Sequence, residues 1–101
     1  MIIALVDFDV APERCSALLA DLKPLLEEAR AMAGNISYRA LIDGEEKAHI
    51  DIMHEWESLE RFRDYRSSNL FSRMSQLLRP AMTSPPVSRC LQAESFEEVH
   101  G

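Results

Sequence analysis

The stretch from residue 47 to residue 56 constrains the fold of this chain most, because apolar and more polar side chains alternate along it. A period of two is typical of a β-strand with one buried face. The residues that share the apolar face are Ala48, Ile50, Ile52, His54 and Trp56. That face ends in an imidazole and an indole, so we expect both groups to lie at the edge of a core, where a ligand pocket would form.

Three other segments have the pattern of strands. They are residues 2–10, which are β-branched and apolar, residues 35–43 and residues 87–93. In the segment 35–43, the residues expected on the buried face are Ile36, Tyr38, Ala40 and Ile42. This segment runs into Asp43-Gly44, a strong hairpin signal, so we expect the second and third strands to be neighbours.

Two helical regions separate the strands. Pro12 and Gly34 bracket a long amphipathic segment, in which Pro24 predicts a bend or a division into two helices. After the third strand, Ser58 and Ser68 can each cap a helix, which gives either two short helices or one kinked helix. The resulting order βαββαβ predicts an α+β protein with a ferredoxin-like sheet and helices on one face.

The second face of such a sheet needs cover of its own. Its predicted residues are mixed in character and include Leu5, Asp7, Ser37, Arg39, Leu41 and Met53. A face of this kind fits packing against its own copy better than exposure to water. We therefore expect a homodimer.

Length and composition indicate one domain. The chain has 101 residues, of which 47% are apolar, enough for one modest core. We place the domain at residues 1–95 and a polar tail at residues 96–101. The two cysteines, Cys15 and Cys90, match no metal or redox spacing and are both expected to be small core residues.

The net charge of −6 disfavours nucleic acid and anionic membranes as partners, because both are bound through clustered Lys and Arg. The basic residues that do cluster are interleaved with acids and are interpreted as a solvated helix face; they are Arg61, Arg63, Arg66 and Arg73. No run of 18 apolar residues occurs, and the apolar start is too short for a signal sequence. We expect no membrane association and a cytoplasmic location.

Several short motifs together resemble the antibiotic biosynthesis monooxygenase family. They are Gly34-Asn35-x-Ser37-Tyr38 at the start of the second strand, Trp56 at the end of the third with Glu57-Ser58 after it, and Ser68-x-x-Phe71 on the next helix. The resemblance covers roughly residues 2–94. It implies a dimeric α/β barrel that oxidises a quinol or phenolic aromatic substrate with O₂, without a metal, flavin or other cofactor. The implied partners are a small aromatic substrate and O₂.

Cofactor-free oxygenation requires a base, a donor that stabilises an anion, and an apolar wall. His54 is predicted to be the catalytic base and Tyr65 the catalytic hydrogen-bond donor. The predicted substrate-binding residues are Trp56, Tyr38, Phe62, Phe71 and Asn35. Both predicted catalytic residues differ from the usual family pattern, since His54 stands where an acid is common and Tyr65 where a His is common.

Two other functions remain open at this point. A non-catalytic dimeric barrel could use the same fold to bind a small apolar or aromatic molecule. A haem-degrading enzyme would need an axial His at the position of Tyr65. His54 could also be a purely structural histidine, and His49, which has the opposite parity, is expected to be exposed or in the dimer seam.

Overall fold

A computed structural model describes residues 1–101 as a four-stranded sheet with three helices. The strands are β1 (Ile2–Asp9), β2 (Asn35–Ile42), β3 (His49–Trp56) and β4 (Val87–Gln92). The helices are α1 (Cys15–Arg30), α2 (Leu59–Arg66) and α3 (Asn69–Leu78), and two 3₁₀ turns lie at Pro12–Arg14 and Arg79–Ala81. The predicted order and the ferredoxin-like α+β fold are confirmed.

The sheet is antiparallel throughout, with the order β2-β3-β1-β4. Burial alternates along all of β3, and Ile50, Ile52, His54 and Trp56 face the helices as predicted. β1 presents Ile2, Ala4 and Phe8 to the same core. The third strand therefore lies inside the sheet, with its polar end beneath the two short helices.

The helices that follow β3 begin where their sequence predicts. The Ser58 hydroxyl accepts a hydrogen bond from the Arg61 amide, and the Ser68 hydroxyl accepts one from the Phe71 amide, both at 3.2 Å. Two caps so close together produce two separate helices, which confirms one of the two alternatives. Helix α1, by contrast, runs through Pro24 as one helix, because Pro24 lies on the exposed side, where water can satisfy the freed carbonyl.

Two expectations about the edges of the sheet are wrong. Ile36 and Ile42 are about half exposed, because Ile36 lies in the bulge between Asn35 and Ser37 and because Ile42 is the last residue of β2, an edge strand. Cys90 is exposed, since β4 is the other edge strand and none of its residues is buried. Cys15 is half buried and packs against the core, as expected.

The connection between β2 and β3 is longer than the two-residue turn suggested by Asp43-Gly44. It spans residues 43–48, and the Asp43 carboxylate accepts hydrogen bonds from the amides of Glu45 and Glu46. These bonds hold a side-chain-capped turn, so the strands are neighbours as predicted but joined by a wider loop.

Gly34 occupies the one backbone conformation in the chain that demands glycine. Its φ is +83°, and a Cβ built there would lie 2.4 Å from Cγ of Arg61. We expect Gly34→Ala to lower the free energy of unfolding by more than about 1 kcal/mol, measured by urea denaturation. Gly44→Ala is the matched control, because a Cβ there meets no atom within 4 Å and its change should stay below about 0.5 kcal/mol. Equal losses in the two variants would contradict the prediction.

Candidate functional site

An aromatic cluster lies between the sheet and the two short helices. The sheet contributes Tyr38 from β2 and His54 and Trp56 from β3, while α2 contributes Phe62 and Tyr65 and α3 contributes Phe71. All but Phe71, which is half buried, are buried. The strand residues of the cluster lie on the apolar faces of their strands, and residues 62 and 65 lie about one turn apart on α2. These spacings bring the rings together.

A hydrogen bond inside the cluster determines the tautomer of His54. The Trp56 indole donates from Nε1 to Nδ1 of His54 at 2.8 Å. Because an indole N–H can only donate, Nδ1 must be the unprotonated nitrogen, and the proton of the neutral imidazole lies on Nε2. Nε2 has no partner in the protein, so His54 offers a free N–H donor.

His54 is also held in its neutral form. Burial lowers the pKa of this imidazole from 6.5 to about 4, since only 5% of the residue is exposed. Protonation would put a hydrogen on Nδ1, against the indole N–H. At neutral pH His54 is therefore a donor with no free lone pair, and the predicted role of a general base does not agree with its geometry.

The two tyrosines of the cluster form a hydrogen-bonded pair. Their hydroxyl oxygens, on Tyr38 and Tyr65, are 2.5 Å apart. Burial raises the pKa of Tyr65 to about 12 and raises that of Tyr38 well above its usual range. Both hydroxyls stay protonated at neutral pH, and one of their two protons is left for a ligand.

Ring stacking holds these polar groups in place. The His54 ring stacks on Tyr38 at 4.4 Å between centroids, and the Trp56 ring stacks on Tyr65 at 5.0 Å. Phe71 meets Tyr65 edge-on at 5.6 Å. Each donor is thus packed against an aromatic neighbour, which restricts its rotamer.

Two adjoining cavities open beside this cluster. The first has a volume of about 120 Å³ and the second of about 110 Å³. They share five lining residues, which are Val6, His54, Tyr65, Phe71 and Ser88. His54 and Tyr65 therefore face both cavities, between a sheet wall and a helix wall.

The predicted site residues divide into three groups. His54, Tyr65 and Phe71 line both cavities, Tyr38 lines the first, and Phe62 lines the second. Trp56 lines neither, because it is fully buried behind His54 and Tyr65. It positions these residues and does not form a wall of the cavity.

Asn35 also lies away from the cavities. Its side-chain amide donates to the carbonyl oxygens of Ser37 and Glu55, at 3.1 and 3.2 Å. Both bonds hold the bulge at the start of β2. We therefore interpret Asn35 as a structural residue of the strand.

Sequence reasoning missed several residues around the cavities. Besides apolar residues, they are Arg66, Ser75, Arg79, Ser88, Arg89 and Cys90. The sequence places Arg66 on a solvated helix face, whereas in the structure it also lines the second cavity. The residues of β4 have no recognisable sequence signal, because only the pairing of β4 with β1 brings this strand to the cavities.

The remaining strand histidine lies on the opposite face of the sheet. His49 is half buried, and its Nδ1 is 2.8 Å from a carboxylate oxygen of Asp9, while its Nε2 is 3.2 Å from one of Asp51. The hydrogen bond to Asp9 raises the pKa of His49. This agrees with the parity predicted for His49 and separates it from the cavities.

We expect the two strand histidines to titrate very differently. In an NMR titration, His54 should stay neutral until about pH 4, whereas the midpoint of His49 should lie above 6.5. The unfolded chain binds a proton at His54 more readily than the folded protein does. The contribution of His54 to the free energy of unfolding is therefore fully present above pH 6.5 and is lost as the pH falls towards 4. The loss amounts to about 3 kcal/mol. A His54 midpoint near 6.5 would contradict the buried, indole-bonded imidazole.

The fold and the site together define a class: a ferredoxin-like α+β protein with an aromatic, donor-lined cavity between its sheet and two short helices. The family profile described as antibiotic biosynthesis monooxygenase matches residues 1–77. The chain belongs to the antibiotic biosynthesis monooxygenase family. No curated protein sequence matches it.

Solved structures agree with this fold. A structure described as an antibiotic biosynthesis monooxygenase is 17% identical, with a TM-score of 0.82, and the match covers 94% of this chain and 100% of that one. A conserved protein from Methanosarcina mazei Go1 is 19% identical, with a TM-score of 0.85 and 92% of each chain covered. A structure from Deinococcus radiodurans, provisionally described as an antibiotic biosynthesis monooxygenase, is 16% identical, with a TM-score of 0.88 and both chains covered completely. At these identities the likeness establishes the fold. No helix of the protein is long and apolar enough to cross a membrane.

Proposed function

We propose that the protein is a cofactor-independent monooxygenase that oxidises a quinol or phenolic aromatic substrate with O₂. The observation that carries this proposal is that one cavity is lined both by His54, with its free Nε2–H, and by the hydrogen-bonded hydroxyls of Tyr38 and Tyr65. Such donors stabilise the oxyanion of a phenolate, and the aromatic rings pack against its flat faces. Membership of the family supports the same reaction.

The size of the cavities limits the substrate. An engineered cavity of about 150 Å³ in another protein holds one benzene molecule. The cavities here, of about 120 and 110 Å³, adjoin at His54 and Tyr65. We therefore propose a substrate of one or two rings, with its phenolic oxygen at the shared donors.

In the proposed reaction, the substrate itself supplies the two electrons that reduce one atom of O₂ to water. The phenolate passes an electron to O₂, and the two radicals combine at a ring carbon. The O–O bond then breaks, so that one oxygen atom remains on the substrate as a carbonyl oxygen. The other leaves as water, with two hydrogens that the substrate has lost. The protein supplies His54 and Tyr65 as donors to the phenolic oxygen and an apolar wall around the reacting carbon.

No group of the site is available as a base at neutral pH, since His54 is neutral with Nδ1 occupied and both tyrosines stay protonated. The substrate must therefore ionise by losing its proton to solvent. kcat/KM should rise with pH around the pKa of the substrate phenol and shift when a phenol of different acidity is used. A fixed midpoint near 6.5 for every substrate would instead indicate a histidine base.

The test is oxygen uptake by the purified protein across a panel of hydroquinones, naphthoquinols and anthrones, each beside an enzyme-free blank. The blank is needed because quinols autoxidise. With ¹⁸O₂, we expect uptake above the blank and one labelled oxygen atom in the product. Uptake at the level of the blank for the whole panel, or product without label, would contradict a monooxygenase.

A non-catalytic binding function is the second candidate, and the lack of a titrating base in the site favours it. The same donors and rings would then hold an aromatic molecule without turning it over. Saturable binding measured without oxygen, together with uptake at the level of the blank, would support this function over the first.

We also propose a homodimer in the cytoplasm. The sheet face away from the helices exposes apolar side chains, among them Leu41, Val87 and Leu91, which a second copy would cover. Light scattering at micromolar concentration should give twice the mass of one chain. A monomeric mass would contradict the dimer.

A further inference from the structure

A free cysteine lies on the sheet side of the second cavity. Cys90 is exposed, and the pairing of β4 with β1 places it opposite Ala4. Ala4 in turn lies opposite His54 of β3, and both of these residues are buried beneath the helices. Side chains of directly paired residues point to the same face of a sheet. Cys90, Ala4 and His54 therefore form one row on the helix side, and all three line the second cavity.

This row sets the spacing between the thiol and the imidazole. Neighbouring strands lie about 5 Å apart, so the backbones at Cys90 and His54 are about 10 Å apart. The residue between them is Ala4, whose small methyl group leaves the space above the sheet open. Phe62 and Phe71 line the same cavity from the helices. A flat ring in this cavity would have the thiol on one side and the imidazole on the other.

The cavity also contains a buried donor without a partner. Only 5% of His54 is exposed, its Nδ1 accepts from the indole of Trp56, and its Nε2–H makes no hydrogen bond within the protein. No Asp or Glu lines the cavity, whereas Arg66 does, with its guanidinium carbon 5.3 Å from the centroid of the Phe62 ring. A ligand oxygen that becomes negative during a reaction would therefore meet a donor and no carboxylate.

We infer that Cys90 is a site of covalent modification by a p-quinone bound in the second cavity, with His54 donating to one quinone oxygen. The thiol first loses its proton to solvent, and the thiolate sulfur attacks the ring carbon β to the carbonyl. As the S–C bond forms, the electron pair of the ring C=C bond moves to the carbonyl oxygen, which takes up a proton. The hydrogen on the attacked carbon moves through solvent to the second oxygen. Thiol and quinone together give a hydroquinone thioether, and no other reactant is needed.

This inference rests on the proposed function for the source of the quinone. A phenol that gains a carbonyl oxygen opposite its own becomes a p-quinone, and its unsubstituted ring carbons are open to a thiol. Part of the product would then be captured at Cys90 before it leaves the cavity. We expect the enzyme to lose activity during turnover in step with the formation of this adduct.

The test adds a ready-made quinone to the protein without oxygen. The probes are 1,4-benzoquinone and 1,4-naphthoquinone, and the adduct is followed by intact mass and located by peptide mapping. For at least one probe, we expect modification at Cys90 with a rate that saturates as the quinone concentration rises, because the quinone binds before it reacts. Iodoacetamide is the reference reagent, since it alkylates an exposed thiol without a donor to a quinone oxygen.

Cys15 is the internal control, because it is a half-buried cysteine that lines neither cavity. Relative to iodoacetamide, Cys90 should react with the quinone at least about 10-fold faster than Cys15. His54→Ala should lower the ratio of quinone to iodoacetamide rates at Cys90 by about 10-fold or more. His54→Gln should restore part of it, because a glutamine amide can still donate. Thermal unfolding checks that both variants are folded.

The inference is overturned if the quinone rate at Cys90 rises linearly without saturation, or if Cys15 and Cys90 show the same ratio of quinone to iodoacetamide rates. An unchanged ratio in folded His54→Ala would also overturn it. Saturation and the comparison with Cys15 are measured on the unaltered protein, so they decide the matter even where a variant unfolds.

The failure of this inference can be told apart from failure of the proposed function. Capture of an added quinone requires no turnover, so saturable modification of Cys90 in a protein without oxygen uptake would keep this site and remove the monooxygenase. Oxygen uptake that yields a quinone, with no adduct at Cys90, would do the reverse.

Discussion

Replacing Trp56 with alanine is expected to lower the free energy of unfolding by about 3–5 kcal/mol. The side chain is fully buried, stacks on Tyr65 and pairs with Ile2 across the sheet. Its loss leaves a cavity beside Tyr65 of α2 and removes the indole that donates to Nδ1 of His54. The measurement is urea denaturation, in which the midpoint should fall while the slope is kept.

Leu59→Ala is the control for Trp56→Ala. Leu59 is also a large apolar residue, but it is 41% exposed at the start of α2. Its replacement should change the free energy of unfolding by about 0.5 kcal/mol or less. A loss below about 1 kcal/mol in Trp56→Ala would mean that the aromatic cluster does not hold the helices on the sheet.

Replacing His54 with alanine is expected to lower kcat for oxygen uptake by about 10²- to 10³-fold, the usual effect of removing one donor to an oxyanion. His54→Gln should keep more of the activity, because a glutamine amide can still donate a hydrogen bond but cannot act as a base. The measurement is uptake at saturating substrate above an enzyme-free blank. Equal losses in the two variants would favour a base and contradict the donor role.

His49→Ala is the matched control for the catalytic prediction, because His49 lies on the same strand with the opposite parity. It should keep kcat within about threefold, a change of less than 1 kcal/mol in the barrier. Trp56→Phe adds a positioning test, since it preserves a ring but removes the donor to Nδ1. The imidazole could then adopt either tautomer, so a histidine midpoint should appear in the pH profile of this variant only.

Much of the fold follows from local patterns. The alternation in residues 47–56 predicts both the strand and the face that His54 and Trp56 share, and Ser58 and Ser68 each begin a helix. These features are predictable because period and capping depend on residues a few positions apart. The failures occur on the edge strands β2 and β4, where Ile36, Ile42 and Cys90 have the residue types of a core but are exposed.

The site was predictable in part. His54, Tyr65, Tyr38, Phe62 and Phe71 meet at the cavities, because each belongs to the buried face of its own element. The alternation predicts that Trp56 and His54 share a face but not the hydrogen bond between them, which leaves His54 with an N–H donor at Nε2 and is the basis of the donor role proposed for it. A pattern of residue types does not reveal which nitrogen of a histidine is occupied.

The sequence by itself determined the order of strands and helices, the buried face of β3 and the aromatic character of the pocket, because these depend on local periodicity and on residue type. Only the tertiary structure decided that β4 pairs with β1 and brings Ser88 and Cys90 to the cavity that His54 lines. It also decided that arginines distant in the chain, among them Arg66 and Arg79, gather at cavities without an acid. The physical reason is that pairing between edge strands and the clustering of charges depend on contacts between residues far apart in sequence, which no local pattern records.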